Sequence, residues 1–232
     1  MMTMQLRKNF LAVTFGVFAT VISHAALAEV VTKPADGVSK VIFKTTGDLA
    51  VRVGSEEKLT IEAEPKVLAQ LDIGIKNGTM TLASKGSFKT DKPLKFTLVI
   101  KSLQTLKGDG SGNVVIEGFS GNDIDVDEAG SGNIELKNIK PGKLTLLLSG
   151  SGNIEAAGSG KSVTARIGGS GNIDTLKFKA QVVEARIDGS GDIKVHADET
   201  LKAVISGAGN IGVKGKAKVT ESISGAGSID RI

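Results

Sequence analysis

The sequence has no cysteine, no tryptophan and no tyrosine, and only four prolines in 232 residues. Without cysteine there is no disulfide, no thiolate metal site and no lipid-modified cysteine, so the fold must be held by its core and its backbone hydrogen bonds. The lack of Trp and Tyr argues against a saccharide cleft built on aromatic platforms. Beyond residue 28 a single histidine remains, His196. It alternates with Ile193 and Val195, which places it on a solvent-facing side of a strand. One exposed His without any Cys gives poor support to nucleophilic catalysis.

Apolar runs are also scarce. The longest, Phe10 to Ile22, follows Arg7 and Lys8 and precedes Ala26-Leu27-Ala28, an A-x-A cleavage site. This is the pattern of an export signal, and it predicts removal of residues 1–28 and a mature chain from Glu29. The run is short for a membrane span, and no second one follows, so no transmembrane segment is expected after cleavage. The remaining 204 residues suffice for one domain, 29–232. Losing Arg7 and Lys8 leaves 27 basic residues against 25 acidic ones. That balance implies neither a nucleic-acid partner nor an anionic membrane.

Glycine, in contrast, is abundant and ordered. GSGNV at 110–114 recurs as GSGNI at 130–134, 150–154 and 169–173, GSGDI at 189–193, GAGNI at 207–211 and GAGSI at 225–229. The first glycines are 20, 20, 19, 20, 18 and 18 residues apart. A fixed period near twenty marks a stacked repeat. Before each phrase, apolar residues alternate, as in Leu144, Leu146, Leu148 and Val183, Ala185, Ile187. After each phrase a shorter alternation begins, as in Ile134, Leu136 and Ile193, Val195. Each repeat therefore reads as strand, glycine turn, strand, return turn. Two strands cannot bury their apolar face alone, but repeats stacked in parallel make one core. The expected fold is all-β: a right-handed parallel β-solenoid of about 18–20 residues per coil.

Residues 29–107 form a less regular half, ahead of the repeats of 108–232. A loose lead-in, 29–37, precedes candidate strands Val38–Lys44, Leu49–Val53, Leu59–Ala63, Leu71–Lys76, Thr79–Ala83 and Leu94–Ile100. Asn77-Gly78 is a hairpin turn needing positive φ. Residues 65–70 fit one helical turn, and 84–93 a loop. Glu128 and Glu221 break the inward apolar pattern, which suggests irregular coils near the ends of the stack, because a buried unpaired carboxylate is costly.

Turn geometry accounts for the phrase itself. Its glycines suit backbone conformations closed to residues with a β-carbon, and Asn tolerates positive φ. Asn113, Asn133, Asn153, Asn172, Asp192, Asn210 and Ser228 are expected to stack as a ladder of polar side chains, one per coil. A phosphate loop would need a following helix and a Lys-Ser/Thr pair, which seven copies leading into strands do not supply. A calcium repeat is closer, but GGSGNID at 168–174 carries its acid one place too late. Contact of the repeated turns with a partner remains a third reading.

The tandem GSGNI phrases resemble the head GIN domain family of autotransporter adhesins. So do the Thr60–Ala63 strand, the segment Asn77-Gly78-Thr79-Met80-Thr81-Leu82, and Pro93-Leu94 leading into a strand and the first GSGN. The resemblance spans about 38–232 and implies an exported β-solenoid with an adhesin role. Five residues follow Gly227, so a membrane barrel for self-translocation is not expected.

No catalytic residue and no cofactor are expected. Asp125 and Asp127, in the run NDIDVDE, are the nearest candidates for metal ligands. Stacking places Asp127 beside Leu147, with Arg166 and Arg186 further along the same column. Such a face suits a carbohydrate-active enzyme as an alternative, although alternating charge equally keeps a solenoid soluble. The leading expectation is a non-enzymatic protein of the periplasm, outer envelope surface or medium that contacts a surface protein or glycan. Self-association by end-to-end stacking, in a structural envelope role, is the third.

Overall fold

A computed structural model describes residues 28–121 and 123–232. The expected export signal, up to Leu27, lies outside the described residues. The elements are β1 (Glu29–Pro34), β2 (Lys40–Lys44), β3 (Asp48–Val53), β4 (Lys58–Ala63), α1 (Pro65–Leu68), β5 (Leu71–Lys76), β6 (Thr79–Ser84) and β7 (Lys95–Ile100). The repeat region supplies β8 (Thr105–Gly108), β9 (Asn113–Glu117), β10 (Ile124–Glu128), β11 (Ile134–Ile139), β12 (Lys143–Leu148), β13 (Asn153–Ile167), β14 (Asn172–Ile187), β15 (Ile193–Ile205), β16 (Ile211–Lys214), β17 (Lys218–Ile223) and β18 (Ile229–Arg231).

These strands stack in two columns on either side of one core, giving a β-solenoid. The first column runs β6, β2, β8, β10, β12 and the second halves of β13, β14 and β15, then β17, all parallel. The second runs β7, β3, β9, β11, the first halves of β13, β14 and β15, then β16 and β18. Period-two alternation puts Leu144, Leu146 and Leu148 over Val163, Ala165 and Ile167 and those over Val183, Ala185 and Ile187, all buried. Like residues over like give one continuous apolar core.

Two features differ from the sequence reading. The residues from 29 are no loose lead-in: β1 pairs antiparallel with β4 from Glu29↔Ala63 to Pro34↔Lys58. Nor do all coils break at the return turn. β13, β14 and β15 run 15, 16 and 13 residues round the return edge as continuous strands. Small register shifts, as between Glu155 and Ala157, absorb the differences in coil length and leave Gly158↔Phe178, Ser159↔Lys179 and Gly160↔Ala180 in step.

Chain order and stacking order also part company in the first half. β6 and β7 lie on one side of β2 and β3, and the chain then returns so that β8 and β9 lie on the other. The first end is closed by antiparallel additions, β5 on β6 through the Asn77-Gly78 turn (φ +50° and +69°) and β4 on β7. Glu64, ahead of α1, pins the 85–93 loop. Its carboxylate accepts hydrogen bonds from the Thr90 hydroxyl (2.8 Å) and the Asp91 N–H (3.0 Å). The Thr90 bond chiefly holds the Glu64 carboxyl below its ordinary pKa.

Candidate functional site

The glycine phrases form one edge of the solenoid. Among their glycines none has positive φ. The need for glycine comes instead from close approach. A β-carbon on Gly130, Gly150 or Gly169 would collide with the carbonyl oxygen of the first glycine one coil earlier. The second glycines, Gly132, Gly152 and Gly171, meet the same obstacle. Those carbonyls cannot retreat, because they accept hydrogen bonds from the next coil: Ser151 N–H to Gly130 O (3.0 Å) and Ser170 N–H to Gly150 O (3.0 Å). The hydrogen-bonded stacking thus continues through the corner.

Beside the glycines runs a ladder of side chains. The Asn153 Nδ2 donates to Asn133 Oδ1 (2.9 Å), Asn172 Nδ2 to Asn153 Oδ1 (3.0 Å), and Asn133 Nδ2 to Asn113 Oδ1 (3.2 Å). Each Oδ1 also accepts the backbone N–H of the residue above it. Asp192 interrupts the series. Its N–H donates to Asn172 Oδ1 (3.0 Å) and its carboxylate accepts from Asn210 Nδ2 (3.2 Å), but a carboxylate has no side-chain donor to return to Asn172. Ser228 ends the ladder on Asn210 Oδ1 (3.1 Å). Its start lies one coil earlier than the sequence indicates, where Asn113 Nδ2 donates to Asp48 (3.2 Å). Thr45-Thr46-Gly47-Asp48 is therefore a degenerate first phrase, with Asn113 N–H on Gly47 O (3.0 Å).

On the outer face of the first column, the register aligns Lys107, Asp127, Leu147, Arg166 and Arg186. Lys107 pairs with Asp127 (3.6 Å), Arg166 with Glu184 (3.2 Å), and Arg186 Nε with Asp188 (2.7 Å). The Arg186 bond lowers the Asp188 pKa. Asp125 is exposed between Thr105 and Thr145. Among the described residues, no three His, Asp or Glu side chains converge to hold a metal ion. His196 sits on the outer side, 3.2 Å from Asp198, with its ring 12% exposed.

Glu128 is not in an irregular coil at an end of the stack. It points into the core of a regular coil, 1% exposed, in register with Leu148 and Gly108. Burial is the main cause that pushes its carboxyl pKa up to about 7, with Asp109 and Asp127 adding to the rise and the Gly130 and Gly132 amides opposing it. Glu221, in contrast, is exposed on the last coil of its column.

Residues 38–217 match the family model described as "Putative auto-transporter adhesin, head GIN domain". The chain belongs to the head GIN domain family. A "putative adhesin" from Bacteroides fragilis is 25% identical, with a TM-score of 0.84 over 88% of this chain and 97% of that one. A "putative adhesin" from Parabacteroides distasonis is 23% identical, with a TM-score of 0.77 over 90% and 98%. A "putative lipid binding protein" from the same species is 26% identical, with a TM-score of 0.72 over 90% and 98%. A comparison with curated proteins gives no match. The head GIN domain here is thus a stack of coils with short corners and salt-bridged faces.

Proposed function

We propose that this protein is an exported, non-enzymatic recognition module of the cell envelope, working through the outer surfaces of a rigid solenoid. The observation that carries this reading is the rigidity of those surfaces: strands, glycine corners and several return turns are all hydrogen-bonded coil to coil. A surface so fixed presents side chains without an ordering cost on binding. The family description and the solved adhesin-like structures support the same reading. Export rests on the signal pattern of residues 1–28, and β1 begins at Glu29, so cleavage would leave every strand intact. Deletion of the gene, scored for attachment, aggregation and envelope integrity, tests it. Loss of any of these is expected, and no change in all three counts against it.

One cavity favours a second reading. A space of about 300 Å³ opens between the edge strands β1 and β5, lined by Val31, Ile61, Leu68, Leu71 and Ile73, with Lys33, Lys85 and Asp72 as its charged residues. Its apolar wall, with two lysines against one acid, suits a small anionic amphiphile. Binding of a fluorescent fatty acid by the purified protein, weakened in Ile73→Asp, would support that site.

A further inference from the structure

The near-balance of charge over the whole chain conceals a segregation. On the strand faces several cations are neutralised, Lys44 by Asp109, Arg52 by Glu117, Lys107 by Asp127 and Arg166 by Glu184, while Lys40, Lys76 and Lys95 stand scattered without an ion pair among the described residues. The return edge, opposite the glycine corner, differs. Lys140, Lys161, Lys177, Lys179, Lys214 and Lys216 all lie along it, all exposed. Among the described residues none of these six side chains has an ion pair or hydrogen bond. Three acids share the stretch: Asp123 accepts the Lys143 backbone N–H (2.8 Å), Asp198 lies against His196, and Glu199 is exposed, so the lysines outnumber the acids there by six to three.

The backbone holds these lysines in file. Ser159, Lys179, His196 and Lys214 are successive register partners, Ala157 pairs Lys177, and Lys161 N–H donates to Gly142 O (3.0 Å). Coils stack at about 4.8 Å, so Lys179 and Lys214, two coils apart on either side of His196, rise from the edge about 10 Å from one another, with the other lysines on neighbouring positions of the same edge. Like charges held in a row raise the local potential and attract an extended polyanion.

We propose that this return edge is the docking line for a linear acidic polysaccharide, whose carboxylates sit against successive lysines. A row suits a chain better than a plane of headgroups. Among the described residues, Val182 is the one exposed large aliphatic side chain beside it, too little for membrane insertion. Phe178 on the edge is buried, so no aromatic ring is offered for stacking nucleobases. The proposal deepens the recognition reading above by naming a partner class, and depends on it only for export.

Binding of the purified protein to polygalacturonate, dextran and anionic phosphatidylglycerol vesicles, each at two salt concentrations, tests it. Salt-sensitive binding to polygalacturonate and none to dextran is expected. The triple variant Lys161→Glu/Lys179→Glu/Lys214→Glu should lose at least tenfold in affinity. A control with the same charge change on unpaired lysines elsewhere, Lys40→Glu/Lys76→Glu/Lys95→Glu, should stay within twofold. A Lys→Gln triple at the edge positions, with an unchanged thermal transition, separates lost binding from lost folding. Equal losses in edge and control variants, tighter binding to vesicles than to polygalacturonate, or no polygalacturonate binding would each overturn the docking line. Because binding is read on purified protein, its failure leaves the attachment test of the broader reading standing.

Discussion

The carboxyl group of Glu128 occupies the space that a side chain at Gly108 would take. A β-carbon built on Gly108 would collide with Glu128 Oε2, and Glu128 Oε1 has no hydrogen-bond partner. Glycine one coil away is what lets an acid sit in a column otherwise filled by Leu148, Ile167, Ile187 and Ile205.

This arrangement makes stability depend on pH. The folded-state pKa of about 7 stands above the ordinary 4.5. The native state therefore holds its proton more tightly, and stability that is full below pH 4.5 falls as pH rises through 7. This group alone costs roughly 3 kcal/mol by pH 8. Glu128→Gln keeps the volume and removes the titration, so urea unfolding at pH 5 and pH 8 should show a smaller gap and a more stable variant at pH 8. The same pH dependence in both proteins would contradict the assignment.

The glycines of the corner separate into those that touch the coil below and those that do not. Gly152→Ala drives a β-carbon into Gly132 O and should cost about 3 kcal/mol or more. Gly168, one residue before a phrase, has open space and no positive φ. Gly168→Ala should be neutral or stabilising by up to ~1 kcal/mol. Denaturant melts of the pair check both.

At Asp192 the ladder lacks one side-chain donor. Asp192→Asn supplies it and should raise stability by about 1 kcal/mol, whereas Asn153→Ala, which breaks both neighbouring links, should lower it by a similar amount or more. Thermal melts at constant pH give the sign directly.

Export makes a mass prediction. Protein recovered from the producing cells outside the cytoplasm should begin at Glu29, read by intact mass and N-terminal peptide mapping. An uncleaved chain would contradict the signal assignment.

The alternating strands and the repeat were legible because period two and period twenty are written in apolar positions. β1 was not, since Pro34 and a mixed sequence hide a strand whose partner, β4, lies some thirty residues away. The Thr45-Thr46-Gly47-Asp48 corner escaped notice because Thr45 stands where the phrases have their first glycine and Asp48 where they have asparagine. Glu128 looked like a break because a buried acid is costly on its own; its compensation, Gly108, is a contact between coils that sequence order does not display. The same holds for the corner glycines. Their conservation of type along the chain was plain, but a clash with a neighbouring carbonyl, rather than positive φ, decides it. The lysine edge was masked by a net charge near balance, since only stacking shows which charges are paired.

The central claim is recognition at the envelope without turnover. It is tested most directly by incubating the purified protein with isolated cell envelopes and measuring bound protein and released sugar together. Saturable, salt-sensitive retention with no new sugar ends is the predicted result. Release of sugar fragments that Asp125→Ala abolishes, without saturable retention, would contradict it.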